Sequence, residues 1–299
     1  MIEVTDAIDR QVRIARPPAR VVSLVPSETL SVAELVGVER IVGRTDYCVE
    51  PAGVIEAVPS VGGTKGFDVE AVKALRPDLV LANKEENSRP LVASLIEAGV
   101  TVHVSFPCSV DQSQDYLETL CRLLGIDANQ APPVRACREA VAMTQPREAS
   151  ELLSVFVPIW RDPWMTFDDR AFASDVLRRC GACNVFSGRA RRYPLPADLR
   201  REGSREVRAG DRDTRYPRIR LSEIIERGAR AVFLPDEPYA FSDADVAEIT
   251  ALRSESPLVV QRVDGKDLFW YGTHVARAIT RLTVEVERMR ARIGLGAHN

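Results

Sequence analysis

EAVKALRPDLVLAN (Glu70–Asn83) and EIIERGARAVFLPD (Glu223–Asp236) decide the fold of this chain. Each is a turn or two of amphipathic helix opened by a carboxylate, then a break, an apolar run and a polar loop. A helix feeding a continuous apolar strand is half of a parallel α/β unit, and such sheets bind ligands beyond the carboxyl ends of their strands. One copy in each half of the chain predicts two sheets facing one ligand.

Working outward, Asp6 to Arg10 lies between two alternating segments and predicts an N-terminal β-hairpin over 1–18. RVVSLV (Arg20–Val25) is an apolar strand, followed by a helix that Ser27 or Thr29 would cap. RIVG is a second strand, VGGTKGFD a glycine-rich loop, and Asp68 the N-cap of the first repeated helix. Helix Leu91–Gly99, strand Thr101–Ser105 and helix Asp111–Leu124 complete a first α/β lobe over 19–126. Pro132 and Pro133 fit the first turn of a helix that ends at Gln145-Pro146, so 127–149 reads as one rigid connecting helix. The grammar then repeats over 150–299: strand Leu152–Val157, helix Ala171–Arg179, short strand Asn184–Phe186 and the second repeat copy. Helix Asp243–Leu252, strand Leu258–Val263, loop DGKDLFWYG and a last helix, Val275–Ile293, follow. The predicted class is α/β, with two Rossmann-like lobes of mostly parallel sheet joined by a single helix.

Composition narrows the function. With 299 residues the chain can bury two cores. A net charge of -3 and pI near 5.8 leave no basic footprint for nucleic acid, and the arginine-rich run Arg189–Arg220 is broken by Asp198, Glu202, Asp211 and Asp213 into a solvated loop. No apolar run approaches the roughly 18 residues of a membrane span. MIEVTDAIDRQ has neither the basic start nor the apolar core of an export signal, so the chain as written reads as cytoplasmic. Six cysteines without the spacing of a disulfide scaffold point the same way.

Catalytic signatures are sparse. Cys180-Gly-Ala-Cys183 has C-x-x-C spacing but follows a helix, whereas thiol redox chemistry favours a cysteine at a helix N-terminus; a redox enzyme is the remote alternative. VGGTKG is not a phosphate-binding P-loop, and no G-x-S-x-G is present. Asp168-Asp169 could supply an acid and a base or cap the next helix. His103, His274 and His298 are too few for a bare metal site, leaving His274 as a candidate axial ligand to the iron or cobalt of a bound chelate. Aromatic residues instead gather in loops: Trp160, Trp164 and Tyr216, then Phe269, Trp270 and Tyr271. A flat conjugated ligand with polar edges needs such faces plus a few donors and acceptors. From the first lobe Pro26, Ser27, Tyr47, Thr64, Lys65 and Asn83 would face it.

RVVSLVPSETL, GRTDYCVEP, PSVGGTKGFDVEAVKALRPDLVLAN, IWRDPWMTF, DTRYPRI with SEII, and DGKDLFWYG together resemble the helical-backbone (class III) substrate-binding proteins of ABC importers for cobalamin and ferric siderophores. The resemblance runs through the whole chain in order. It implies a non-enzymatic, monomeric receptor: two lobes on a rigid helix, a cobalt- or iron-containing ligand in the cleft between them, and no intrinsic cofactor. It also implies an ABC permease as partner and an extracytoplasmic location if the start is truncated; a cytoplasmic orphan carrier or sensor is the alternative. Tyr47 and Tyr216 match aromatic contacts of the cobalamin binders, and Trp164 falls near another. Thr64 or Lys65 and Asn83 stand where those receptors have tryptophans, and Lys65, Lys84, Arg161 and Arg170 suit carboxylate, catecholate or phosphate edges. The expected ligand set is therefore Pro26, Ser27, Tyr47, Thr64, Lys65, Asn83, Arg161, Trp164, Tyr216, Trp270 and Tyr271. Glu70 and Glu223 match the surface carboxylates with which each lobe docks on permease arginines.

Overall fold

A computed structural model of the protein describes residues 1–144, 147–252 and 258–294. The chain divides into two compact units, Met1–Ala140 with Trp270–Ala276, and Val141–Phe269 with Arg277–Asn299.

The first unit opens with the hairpin β1 (Ile2–Thr5) and β2 (Gln11–Ile14), paired antiparallel with Thr5 opposite Gln11. Its turn is held by Asp6, whose carboxylate accepts from the Ile8 and Arg10 amides and the Arg10 guanidinium. There follow β3 (Val21–Ser23), α1 (Pro26–Val36), β4 (Ile41–Arg44), α2 (Val69–Ala74), β5 (Leu79–Asn83), α3 (Arg89–Glu97), β6 (Val102–Ser105), α4 (Val110–Leu124) and α5 (Pro132–Ala142). The sheet order is β4-β3-β5-β6, all parallel. All five residues of β5 are buried, as a central parallel strand covered on both faces requires. Val22, Leu24, Val72, Val80, Leu95 and Val104 share its core; each such side chain contributes roughly 1.5–3 kcal/mol by leaving water.

Local signals explain most boundaries. Asp68 caps α2 by accepting from the Glu70 and Ala71 amides. Gly125 ends α4 in the left-handed conformation, φ 74°. The expected side-chain cap of α1 does not form. Val25 occupies that position, and the Thr29 hydroxyl turns back to the Val25 carbonyl at 3.0 Å. The expected stop of α5 at Gln145-Pro146 lies outside the described residues, as does His298.

The second unit contains β7 (Leu153–Phe156), α6 (Phe172–Arg179), β8 (Ala182–Asn184), α7 (Leu195–Asp198), α8 (Glu223–Glu226), β9 (Ala231–Pro235), α9 (Asp243–Thr250), β10 (Val259–Val263), α10 (Gly265–Phe269) and most of α11 (Val275–Arg292). Its sheet, ordered β10-β9-β7-β8, is again parallel. The repeated segment thus forms α2–β5 in one unit and α8–β9 in the other, and the fold is α/β with two parallel four-stranded sheets. Two local readings shift. The strand expected at Asn184–Phe186 begins two residues earlier. Part of DGKDLFWYG is helical, because Asp264 accepts the Lys266 amide and Asp236 the Gly265 amide, which starts a turn.

Candidate functional site

In the first unit, the carboxyl ends of β4 and β5 lead into the loops that carry Tyr47, Thr64, Lys65 and Lys84. Tyr47 is 63 % exposed, an unusual state for a tyrosine held beside a fully buried Cys48. That cysteine anchors the loop: the Thr29 hydroxyl lies 3.0 Å and the Thr45 hydroxyl 3.1 Å from its sulfur. Gly63 passes Tyr47 closely enough that a β-carbon there would touch the ring at 3.5 Å. Lys65 donates to the Glu85 carbonyl, and the Lys84 ammonium sits 5.2 Å from the centre of the Phe106 ring. Thr64 is half-buried.

Pro26, Ser27, Asn83 and Tyr271 are turned into the interior of this unit. Parallel pairing sets Asn83 beside Ser105. The Asn83 amide donates to the Ser105 hydroxyl at 3.1 Å and to the Tyr271 hydroxyl at 3.0 Å, while its oxygen accepts from the Glu85 and Glu86 amides. Ser105 and Tyr271 donate in turn to one oxygen of Glu28, at 2.5 and 2.7 Å. The Tyr116 hydroxyl lies near this carboxyl. Neither it nor the second Glu28 oxygen has a hydrogen bond of ordinary geometry. Burial without a cation raises the Glu28 carboxyl to about 7 and pushes the Tyr116 and Tyr271 phenols up. Asn83 and Tyr271 are therefore saturated by structural partners, which is why they do not serve a surface.

The same cluster fixes the late segment Trp270–Ala276 to α1 and α4. The Gly272 amide donates to Ser113 at 2.8 Å and the Thr273 amide to Ser31 at 3.2 Å. Gly272 has φ 80°, and a β-carbon there would collide with the Ser31 hydroxyl. Trp270 and His274 are 5 % and 4 % exposed, with ring centres 5.8 Å apart. Both were expected at the ligand; both are packed.

In the second unit, the loop after β7 folds back on itself through bridges from Trp160 to Met165 and from Met165 to Arg218. This ladder sorts the two tryptophans. Trp164 is 8 % exposed and stacks on Phe241 with a 2° interplanar angle, whereas Trp160 is 46 % exposed with its edge toward Tyr239, 5.3 Å between centres. Arg161 is held by Asp245 and Glu248 and lies 5.3 Å from the Trp164 ring, so its charge is spent internally. Arg170 pairs with Asp168 at 2.5 Å, which makes Asp168 an ion-pair partner and not a free acid or base. Tyr216 is half-buried with Arg215 5.2 Å from its ring. Tyr239, in the loop after β9, escaped sequence reasoning. An aromatic residue in a Pro- and Asp-rich strand-end loop was the available signal.

Glu70 and Glu223 part company. Glu70 lies at the surface of α2, its side chain 77 % exposed and paired with Lys73 at 2.7 Å. Glu223, expected as its exposed counterpart, is buried. It accepts the Arg220 amide at 3.0 Å and has Arg200 3.6 Å away. The second copy of the repeat lies under the arginine-rich excursion between β8 and α8, which the first copy lacks.

Cys180 is buried against the Ile279 carbonyl, and burial pushes its thiol up to about 12; Cys183 is raised for the same reason. Neither supplies a thiolate near neutral pH. Among the described residues there is no group of three His, Cys, Asp or Glu positioned to hold a metal ion, and no helix long and apolar enough to cross a membrane.

Residues 21–202 match the model of a family described as periplasmic binding protein. The chain belongs to that family. Its members are non-enzymatic binding proteins. This family member is 28 % identical over 190 residues to a vitamin B12-binding protein of Yersinia pestis, a match covering 61 % of the chain and 64 % of the relative. The match thus spans under two thirds of that relative's length. Among solved structures, a periplasmic vitamin B12-binding protein of Vibrio cholerae has TM-score 0.64 and 19 % identity, covering 92 % of this chain and 98 % of the other. A periplasmic heme-binding protein from Roseiflexus sp. RS-1 has TM-score 0.68 and 16 % identity, covering 90 % and 98 %. Both share the fold.

Proposed function

We propose that this family member binds a corrinoid or a related iron chelate, heme or ferric siderophore, as the substrate-binding protein of an ABC-type importer. One observation carries the reading: each unit presents an exposed aromatic side chain from a strand-end loop, Tyr47 in the first and Trp160, backed by Tyr239, in the second. Large aromatic rings left in water on otherwise well-packed loops suit the apolar face of a conjugated macrocycle. In this reading Tyr216, Thr64, Lys65 and Lys84 offer donors to the ligand's polar or anionic edges. The likeness to vitamin B12-binding proteins supports the same ligand class. The metal is cargo, carried inside the ligand; no resident cofactor enters the reading.

Export to the periplasm and operation as a monomer belong to this proposal. So does docking on a permease, for which Glu70 is the candidate in the first unit. In the second unit Glu226, three residues after Glu223 and 53 % exposed at its side chain, replaces the buried carboxylate. A thermal-shift screen against cobalamin, heme and ferric siderophores tests the reading. Stabilisation by one class, weakened in Tyr47→Ala and Trp160→Ala, is the expected result; no shift from any of them would overturn it.

A further inference from the structure

In each unit a buried asparagine holds the loop that presents the exposed aromatic residue. Asn87, between β5 and α3, is 4 % exposed. Its oxygen accepts the Asn83 amide at 2.7 Å, which fixes its own loop to the end of β5. Its side-chain amide donates to the Leu24 carbonyl, just past β3, at 3.1 Å and to the Thr64 carbonyl at 3.0 Å. The second bond pins the glycine turn, which closes from the Gly66 amide to the Gly63 carbonyl at 3.2 Å. That turn supports Tyr47. The Tyr47 ring lies beside Gly63, and the Asp46 amide donates to the Gly62 carbonyl at 2.9 Å.

In the second unit Asn184, the last residue of β8, is 1 % exposed. Its oxygen accepts the Phe186 amide at 3.3 Å, and its side-chain amide donates to the Thr166 hydroxyl at 2.7 Å and the Phe167 carbonyl at 2.9 Å. The Thr166 hydroxyl passes a bond on to the Val157 carbonyl at 2.7 Å. Val157 and Thr166 are the two legs of the hairpin in which the Met165 amide donates to the Trp160 carbonyl at 3.0 Å. Asn184 therefore closes the stem of the loop that carries Trp160. Both amide hydrogens of each asparagine are spent on the aromatic-bearing loop or on the sheet beneath it. A carboxylate in either place would face carbonyls without a proton to give, and an apolar side chain would leave them bare. An aromatic face held in place before the ligand arrives loses less freedom on binding.

We propose that Asn87 and Asn184 are positioning residues for ligand binding, acting through Tyr47 and Trp160. The proposal rests on the reading that these two rings meet the ligand, so one arm of its test needs no ligand. Fluorine NMR of protein labelled with fluorotyrosine or fluorotryptophan reads each ring in the folded state; Tyr47→Phe and Trp160→Phe assign the two signals. Asn87→Ala is expected to shift or broaden the Tyr47 signal and leave that of Trp160 in place, and Asn184→Ala to do the reverse. A residue that only added stability would lower the denaturation midpoint without moving these native-state signals. The other arm uses whichever of cobalamin, heme and a ferric siderophore binds the wild type, and each variant should weaken that binding at least tenfold. Asn87→Ser and Thr166→Val cut the same ties more gently and serve both arms if an alanine variant folds poorly. Should no probe bind the wild type, the ligand reading fails and the fluorine signals still decide whether the asparagines place the rings. Tyr47 and Trp160 signals unmoved in the folded variants, or a probe bound as tightly as by the wild type, overturns the proposal.

Discussion

Replacing Glu28 by Gln should stabilise the protein at alkaline pH and do little in acid. In the native state the carboxyl titrates at about 7, against an ordinary value of 4.5, because burial opposes its charge. The native state therefore holds a proton that the unfolded chain releases between these values. Stability from this group is full below pH 4.5, falls as pH rises through 7, and is level above that. At 1.36 kcal/mol per unit, the loss is about 3 kcal/mol between pH 4.5 and pH 8. Gln keeps the oxygen that accepts from Ser105 and Tyr271 and places an amide where Tyr116 can receive it. His103 titrates in the opposite sense. Burial lowers it to about 4, so its contribution is present above pH 6.5 and lost as pH falls through 4, partly masking Glu28 in the wild type. The difference between variant and wild type cancels His103. Urea denaturation of both proteins from pH 4.5 to pH 8 should show the variant's advantage growing by about 3 kcal/mol. A flat difference, or a variant less stable than wild type at pH 8, would refute the assignment of a neutral buried carboxyl.

Glu223→Ala should cost about 2 kcal/mol in urea denaturation, since the fully buried Glu223 carboxylate that accepts the Arg220 amide is lost, while Glu70→Ala should stay within about 0.5 kcal/mol. Equal effects of the two would show that Glu223 is not the buried member. Gly272→Ala should lose about 2 kcal/mol or more, from left-handed backbone strain and the collision with Ser31, and Ser31→Gly in the same chain should recover part of it.

What could be read from sequence was local. The Asp68 cap depends on residues two and three positions away, and the apolar runs of β5 and β9 state their own burial. The hairpin turn at Asp6 is equally short-range. The errors came from long-range pairing. Tyr271 and Asn83 looked like ligand contacts until their hydroxyl and amide met across 188 positions, and Glu28 has partners 77 and 243 positions away. Trp160 and Trp164 are indistinguishable in a loop of mixed composition; only the pairing of Met165 with Arg218 decides which faces water. Glu223 read as a twin of Glu70 because the repeat has no information about the excursion that covers it.

The central claim is that an exposed aromatic face meets a conjugated metal chelate, and fluorescence tests it most directly. The chain has three tryptophans, and Trp160 alone is substantially exposed. Titration with cobalamin, heme or a ferric siderophore should quench the emission saturably. Trp160→Phe should remove most of the quench, with Trp164→Phe and Trp270→Phe retaining it. No saturable quench from any of the three ligand classes, or a quench unchanged in Trp160→Phe, would contradict the account.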